Sequence, residues 1–285
     1  MNPQLRFQVD AVWVELHASK ADLGRAAAAR AAGLIRAAIE RRGRARLIVG
    51  TGPSQNQTVA ALAGTSGLDW TRIELFHMDE YIGLGPAHPA SFRRWLKERL
   101  ADRVRPGAVY LLNGDAPDPE AECHRYEGIL REAPVDICFL GFGENGHIAF
   151  NDPHAADFHD PLWVKRVAMD QRCRLQQVGE GHFPGPDAVP AEALTLTCPA
   201  LMAAEYLICS VPDQRKAEAV RQALEGPISA CCPASLVRTH PSAVLYLEPE
   251  SATLGPQLEV LYRTVCPSTT GGESGNLALR NESDS

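Results

Sequence analysis

The chain has 285 residues, of which 45% are hydrophobic and 22% charged, so it contains enough apolar material for a packed core. Its formal net charge of -7 argues against a nucleic-acid-binding protein, since such proteins usually present a basic face. No run of 18 apolar residues occurs, and residues 1–23 lack the apolar stretch of a secretory signal. We therefore expect neither a membrane span nor a signal peptide.

In chain order, short apolar runs alternate with helical patterns, which is typical of an α/β fold with a mainly parallel sheet. An Ala-rich helix is predicted over residues 19–42, with Gly43 as its stop. Asp213 is expected to be the N-cap of the last helix and Gly226 its stop. The other predicted helices cover residues 56–63, 91–100, 119–131 and 213–225, and the predicted strands cover residues 46–49, 72–76, 135–140, 163–168, 193–196, 206–211 and 243–247.

The chain shows no internal repeat, and no linker interrupts residues 10–260. We therefore predict one domain over residues 1–265. Residues 266–285 are rich in Ser, Gly and Asn and are predicted to be a disordered tail.

The eight cysteines are scattered, without a CxxC pair or a zinc-type spacing, which predicts a reduced, cytoplasmic protein. Cys138 and Cys209 lie in apolar runs, where a free thiol behaves as a small hydrophobic group. The nine histidines show no HxxxH or HxH arrangement and no cluster with carboxylates, so we expect no metal site.

Three segments rich in glycine and polar residues follow predicted strands: residues 50–54, 77–81 and 141–152. In open α/β sheets, ligands bind outside the carboxyl ends of the strands. We therefore expect the three segments to meet at a single site.

The third segment begins with Gly141, Gly143 and Gly146 in the GxGxxG spacing of dinucleotide-binding proteins. That motif requires a helix at its third glycine, and Pro153 leaves little room for one. We therefore do not expect nucleotide binding; the glycines allow a sharp turn or a close approach to a small ligand.

His147 follows this turn, and Glu144, Asn145, Asn151 and Asp152 surround it in sequence. A lone histidine is more often structural than catalytic. So many polar groups after a buried strand favour a catalytic histidine, because an amide or carboxylate partner fixes one tautomer near neutral pH.

Asp79 and Glu80 form an acidic pair at the end of another predicted strand. Such a pair is common at a turn or a helix N-terminus. A carboxylate in a partly dry site has a raised pKa and can remove a proton next to a carbonyl. The spacing leaves both interpretations open.

Thr51, Gly52 and Ser54 precede a predicted helix, whose N-terminal N–H groups and hydroxyls would suit a phosphate. The loop is not a Walker A motif. Lys216 would add a positive charge to that phosphate, although a solvated surface lysine is an equally good interpretation. A Ser-His-Asp hydrolase is poorly supported, because no GxSxG motif occurs.

The chain resembles the glucosamine-6-phosphate deaminase (isomerase) family over roughly residues 20–250. The resemblance lies in residues 76–84 (FHMDEYIGL), 111–118 (LLNGDAPD) and 141–153 (GFGENGHIAFNDP). The related 6-phosphogluconolactonases share the fold and a Gly-His block but typically lack the MDEY segment and the FN(D/E)P ending.

The resemblance implies an α/β fold of the Rossmann-like kind, a three-layer α/β/α sandwich with a mainly parallel open sheet, and no metal or other cofactor. It implies that His147 opens the sugar ring and that Asp79 moves a proton from C2 to C1 through an enolamine. Asp152 would orient His147, and Lys216 would bind phosphate. Further substrate contacts are expected from Thr51, Gly52, Ser54, Gln177 and Glu80.

Two residues depart from the family pattern. Asn145 stands where many members have a ring-opening aspartate, and Gln177 falls near the position of a phosphate-binding arginine. A neutral amide binds phosphate more weakly than a guanidinium does. Arg172 or Arg174 is the expected substitute for that arginine, unless the substrate differs.

Three hypotheses follow. The first is an amino-sugar phosphate deaminase/isomerase that converts a 2-amino-2-deoxyhexose 6-phosphate to a ketose 6-phosphate and ammonia. The second is a 6-phosphogluconolactonase, which would need His147 but no base at Asp79. The third is a non-catalytic sugar-phosphate sensor. Each takes a small sugar phosphate as its partner, with no nucleic acid or membrane, and leaves assembly into a homo-oligomer open.

Overall fold

A computed structural model gives the structure of the protein over residues 2–252, to which all structural statements refer. The strands within this range are β1 (Leu5–Val9), β2 (Val12–Leu16), β3 (Ala45–Val49), β4 (Ile73–His77), β5 (Asp79–Tyr81), β6 (Ala108–Tyr110), β7 (Ile137–Leu140), β8 (Val164–Ala168), β9 (Glu192–Leu196), β10 (Tyr206–Ser210) and β11 (Ala243–Leu247). The helices are α1 (Lys20–Arg42), α2 (Asn56–Ala63), α3 (Phe92–Leu96), α4 (Asp102–Val104), α5 (Pro119–Arg131), α6 (Gln171–Gly179), α7 (Cys198–Met202) and α8 (Ala217–Glu225).

Eight strands form the central sheet, in the order β1-β2-β11-β10-β7-β3-β4-β6. Every neighbouring pair is parallel except β1 and β2, which form an antiparallel hairpin at one edge. The chain runs from β3 outward through β4 to β6, then returns to the other side of β3 as β7. The strand order therefore reverses between β3 and β7, and such a point leaves a crevice where ligands bind.

The central sheet has an apolar core on each face. Along β3, Leu47 and Val49 pack into one core and Ile48 into the other, because successive side chains of a strand point to opposite faces. Helices α1 and α2 cover the first face, and α5 and α8 contribute to the second core. The predicted three-layer α/β/α fold is confirmed.

A second sheet is small and antiparallel, in the order β5-β9-β8. The sequence predicted strands near β8 and β9, but their separation from the parallel sheet was not anticipated. It also placed Asp79 and Glu80 after a strand, whereas Asp79 begins β5, two residues after β4 ends at His77. The hairpin of β1 and β2 was missed altogether.

Helix ends follow the capping chemistry of the sequence. The Ser19 side chain accepts a hydrogen bond from the Asp22 N–H at the start of α1, and Gly43 ends the helix with φ 77°. The last helix was predicted as one segment, but Asp213 caps a separate 3-10 turn, Gln214–Lys216, and α8 begins only at Ala217.

No helix within residues 2–252 has both the length and the apolar character that a membrane crossing requires. The predicted tail and Cys266 lie outside the described residues. The single domain over residues 1–265 stays a prediction, because it extends beyond them.

Candidate active site

A cavity of about 290 Å³ lies at the carboxyl ends of β3 and β7, where the strand order reverses. The loops after these two strands form its walls, together with the start of β5, helix α6 and the 3-10 turn before α8. The three polar segments of the sequence therefore meet at one site, as their strand-end positions predicted. Of the predicted site residues, those that line the cavity are Thr51, Gly52, Ser54, Asp79, His147, Gln177 and Lys216.

The His147 ring is held by two side chains behind it. Its Nδ1 lies 2.8 Å from Asn145 Oδ1 and 3.0 Å from Asp152 Oδ1. Asn145 Oδ1 also accepts from the His147 N–H, and Asn145 Nδ2 donates to Asp152 Oδ1 at 2.8 Å, so both neighbours of Nδ1 are acceptors. Nδ1 therefore carries the proton, and Nε2 is left to accept one on the cavity side.

Glycines make room for this ring. A Cβ on Gly143 would overlap the His147 imidazole, and Gly146 has φ 82°, a conformation that side chains disfavour. The Gly143 N–H donates to the His147 carbonyl, which closes the loop. No helix begins at Gly146, in agreement with the argument against dinucleotide binding. The space at Gly143 accommodates the histidine rather than a ligand.

Asp79 faces the same cavity and is only 7% exposed. Burial raises the pKa of its carboxyl to about 8, and the neighbouring Glu80 charge adds to the rise. The Thr51 hydroxyl, whose Oγ1 lies 3.4 Å from Asp79 Oδ1, opposes it. A carboxylate with such a pKa is a stronger base than an exposed aspartate.

The expectation that Glu80 contacts substrate is not supported by its position, because its side chain is fully buried away from the cavity wall. It accepts hydrogen bonds from the Ser91 hydroxyl at 2.7 Å, the Arg93 N–H at 3.0 Å and the Phe92 N–H at 3.2 Å. Arg93 Nε also lies 3.2 Å from it. Because Asp79 and Glu80 are adjacent in a strand, their side chains point to opposite faces. Glu80 therefore binds the N-terminus of α3.

Thr51, Gly52 and Ser54 form a loop that leads through a 3-10 turn into α2. Gln55 fixes the loop, since its Nε2 donates to the carbonyls of Leu140 and Ser210 at the ends of β7 and β10. The loop thus presents hydroxyl and N–H donors to the cavity, at the N-terminus of a helix, where an anion is favoured.

Lys216 also lines the cavity, and its side chain is 5% exposed. Its Nζ is 3.6 Å from Oε1 of Glu180, a cavity residue that the sequence did not single out. Burial lowers the pKa of Lys216, and the Glu180 charge opposes that change. Lys216 is therefore a buried cation at the ligand cavity, and not a solvated surface lysine.

Gln177 also lines the cavity, and its Oε1 accepts a 2.6 Å hydrogen bond from the Tyr81 hydroxyl. Arg172 and Arg174 were expected to replace the phosphate-binding arginine, but neither lines the cavity. Arg174 Nη2 instead donates to the Pro186 carbonyl. The guanidinium that does line it belongs to Arg215, next to Lys216 in the sequence. Because Arg215 directly precedes Lys216, its place at the cavity could have been predicted from the sequence.

The turn that carries Arg215 and Lys216 is anchored by Asp213. Its carboxylate accepts from the Arg215 N–H at 3.2 Å, and its own N–H donates to Glu248 Oε1 at 2.8 Å. Asp213 has φ 91°, an uncommon conformation for a residue other than glycine. Such conformations cluster at functional sites, because the surrounding contacts must hold them in place.

Ligand atoms of His147, Asp152 and Cys173 lie within 4.8 Å of one another, and all three residues are buried. Asp152 lies beside His147, where the family resemblance predicted a carboxylate that orients the histidine. The hydrogen bond from His147 Nδ1 to Asp152 accounts for this proximity without a metal ion, since Nδ1 is protonated and already donates.

A family model described as glucosamine-6-phosphate isomerases/6-phosphogluconolactonase matches residues 18–246. A glucosamine-6-phosphate deaminase of an Exiguobacterium species is 37% identical over 186 residues, 65% of this chain and 71% of that protein. One of Listeria innocua is 34% identical over 201 residues, 70% of this chain and 84% of that protein.

Two solved structures are also similar. A monomeric glucosamine-6-phosphate deaminase superimposes with a TM-score of 0.77 and 30% identity, over 85% of this chain and 99% of that one. A 6-phosphogluconolactonase of Shewanella baltica has a TM-score of 0.68, covers 85% of this chain and 97% of that one, and is 20% identical. At that identity, the second likeness concerns the fold alone.

Proposed function

The chain belongs to the family of glucosamine-6-phosphate isomerases and 6-phosphogluconolactonases, and we propose that it is a deaminase/isomerase of a 2-amino-2-deoxyhexose 6-phosphate. The observation that carries this proposal is Asp79, a buried carboxyl with a raised pKa that faces the same cavity as His147. A lactonase would need no base at that position. The deaminase names of the relatives support the same choice.

His147 would open the sugar ring. With Nδ1 protonated and bound to Asn145 and Asp152, Nε2 accepts the proton of the C1 hydroxyl and returns it to the ring oxygen. The products of this step are an open-chain aldehyde and an unchanged histidine. Asp152 stabilises the imidazolium that forms between the two transfers.

Asp79 would then act on the open chain. Its ionised carboxylate removes the C2 proton while the C2 ammonium group of the substrate transfers a proton to the C1 oxygen, so that a neutral enolamine forms between C1 and C2. Asp79 returns its proton to C1, which leaves an iminium at C2. Water adds to the iminium, ammonia leaves, and the product is a ketose 6-phosphate.

The phosphate of the substrate would lie between the 51–54 loop and Lys216. Thr51 and Ser54 supply hydroxyl donors, and the buried ammonium of Lys216 supplies positive charge. Gln177 offers its amide nitrogen, because its oxygen is occupied by Tyr81. Asn145 would support His147 through hydrogen bonds alone, with the negative charge supplied by Asp152.

Ammonia release tests the proposal directly. The purified protein is mixed in turn with glucosamine 6-phosphate, galactosamine 6-phosphate and their unphosphorylated forms, and ammonia and ketose phosphate are measured. We expect equal amounts of both products from a phosphorylated amino sugar. Loss of 6-phosphogluconolactone without ammonia indicates a lactonase, and a thermal shift without any product indicates a sensor; either result overturns the proposal.

We further propose that the protein works in a reducing, cytoplasmic compartment. The cysteines of residues 2–252 are all free, and six of the seven are buried. Fractionation of cells that express the tagged chain tests the location. The sequence leaves assembly into a homo-oligomer open, and sedimentation of the purified protein tests it.

A further inference from the structure

Glu180 is a buried carboxylate on the cavity wall, with a side chain only 6% exposed. It follows the last residue of α6. Its Oε1 accepts a 2.8 Å hydrogen bond from Gln176 Nε2 and lies 3.6 Å from Lys216 Nζ, while its Oε2 lies 3.6 Å from His182 Nε2. Burial raises the pKa of Glu180, but His182 and Lys216 together bring it below its usual range. Glu180 therefore carries its negative charge inside the site.

Glu180 is the one acidic side chain of residues 2–252 within 4 Å of Lys216 Nζ. At 3.6 Å the two atoms form an ion pair that is longer than a normal hydrogen bond. The N–H groups of the Lys216 ammonium can therefore still donate to a ligand, although the Glu180 carboxylate already neutralises its charge.

The other cationic side chains of the cavity are also paired with carboxylates of the protein. Arg215 lies beside Asp213 at 3.3 Å and Glu144 at 3.7 Å, and Lys20 lies 3.8 Å from Asp213. These pairs are partly exposed, so water screens them. The pair of Lys216 and Glu180 is almost fully buried, so its charges act on a ligand with little screening.

We propose that Glu180 is a specificity-determining residue, which competes with the phosphate of the substrate for Lys216 and so limits the preference of the cavity for phosphorylated sugars. This inference rests on the proposed function, in which the distal group of the substrate is a phosphate. An anion that contacts Lys216 also comes close to the Glu180 carboxylate, and that repulsion opposes binding. An uncharged hydroxyl at the same place meets no such repulsion.

Removal of Glu180 has different expected effects if its role is purely structural. If Glu180 serves only to keep a buried lysine charged, its removal changes stability and weakens phosphate binding. If it competes with the ligand, its removal strengthens phosphate binding relative to the binding of an unphosphorylated sugar.

The experiment is calorimetric binding of glucosamine 6-phosphate, inorganic phosphate and unphosphorylated glucosamine to Asp79→Asn, which cannot turn the substrate over, with and without the further substitution Glu180→Gln. We expect the ratio of Kd for glucosamine over Kd for glucosamine 6-phosphate to rise about tenfold or more, and Kd for inorganic phosphate to fall. An unchanged or lower ratio overturns the proposal.

Glu144→Gln is the matched control, because it removes the same charge from a partly exposed pair. We expect it to change the ratio less than about threefold, as is usual for exposed pairs. If Glu180→Gln does not fold, Glu180→Asp moves the carboxylate away from Lys216 by one methylene. The ratio should then rise by a smaller factor, and no rise overturns the proposal.

Binding needs no turnover, so the two proposals fail separately. A raised ratio without ammonia release overturns the proposed function and leaves the proposed competition at Lys216 intact. Ammonia release with an unchanged ratio supports the proposed function and overturns the proposal that Glu180 competes with phosphate.

Discussion

His147 Nδ1 lies 3.0 Å from Asp152 Oδ1, and both side chains are buried. The carboxylate also accepts from Asn145 Nδ2 and from the Asp170 N–H. Burial alone raises the pKa of Asp152, and the His147 contact, with these donors, brings it below the usual range. Asp152 is therefore ionised, and it supplies the negative charge that Asn145 cannot offer to His147.

Asp152→Asn is expected to lower kcat by about 100-fold or more, because an amide neither stabilises the imidazolium nor fixes the proton on Nδ1. Steady-state kinetics of ammonia release measures this loss. Asp157→Asn, on the exposed loop that follows, removes the same charge and should leave kcat unchanged. Wild-type turnover in Asp152→Asn would show that His147 works without its carboxylate.

Asp79→Asn is expected to abolish turnover and solvent-proton exchange at C2, because an amide cannot accept the C2 proton. In the wild type, kcat/KM should rise with pH and level off above about pH 8, since the pKa of Asp79 is about 8. An acidic limb that lies near pH 4 instead would contradict the raised pKa of this base. Deuterium exchange at C2, followed by NMR, separates this step from ring opening.

The same substitution should alter the pH dependence of stability. The folded protein holds the Asp79 proton more tightly than the unfolded chain, so this stabilisation is complete below about pH 4 and is lost as the pH rises to about 8. The amide of Asp79→Asn does not titrate, so the variant does not lose stability in this way as the pH rises. Between pH 5 and 8 its free energy of unfolding should gain at least about 2 kcal/mol relative to wild type, measured by urea unfolding. Parallel pH profiles would contradict the raised pKa.

Glu80→Gln tests the coupling between the two neighbouring carboxyls. Loss of the Glu80 charge lowers the pKa of Asp79, so the acidic limb of kcat/KM should move to lower pH. The amide also leaves Arg93 and the start of α3 with weaker acceptors, which should reduce the free energy of unfolding by about 2 kcal/mol. Glu98→Gln, in the exposed pair with Arg94, is the control and should have an effect below about 0.5 kcal/mol.

The position of Glu80 also shows what the sequence could and could not predict. Helix α1 was predictable because Ser19 and Gly43 carry local capping signals. Strand β5 has only three residues, and its partner β9 lies more than 100 positions away, so no local signal marks it. Without that strand, the opposite directions of Asp79 and Glu80 were not predictable.

The cavity itself was predictable in part. Parallel strands end at one edge of the sheet, so the loops carrying Thr51 and His147 had to meet there. The β1–β2 hairpin was missed although its alternating apolar residues were a usable signal. Glu180 follows a helix with no distinctive motif, and its approach to Lys216 depends on tertiary packing alone.

Gly143→Ala is expected to displace the His147 ring, because the added methyl group would overlap it. The ring is held by Asn145 and Asp152 and cannot move aside freely, so we expect lower stability and a loss of at least about 10-fold in kcat. Gly33→Ala, inside α1 with open space around it, should instead stabilise the protein by about 0.5–1 kcal/mol. Equal activity of Gly143→Ala and wild type would rule out the described ring position.

Gln177→Arg is expected to strengthen phosphate binding. The side chain lines the cavity, and a guanidinium there would offer paired donors that an amide lacks. KM for glucosamine 6-phosphate should fall relative to KM for glucosamine. The buried Tyr81 hydroxyl loses its acceptor, however, which should lower the free energy of unfolding by about 1–3 kcal/mol.

Gln177→Met separates these two effects, because it removes the acceptor for Tyr81 without adding a charge. It should lose a similar amount of stability and show no gain in selectivity for the phosphorylated sugar. If both variants have the same ratio of KM values, the added guanidinium does not reach the phosphate, and Gln177 is better described as a support for Tyr81 than as a substrate contact. If only Gln177→Arg gains selectivity, the amide at position 177 limits phosphate binding in this protein.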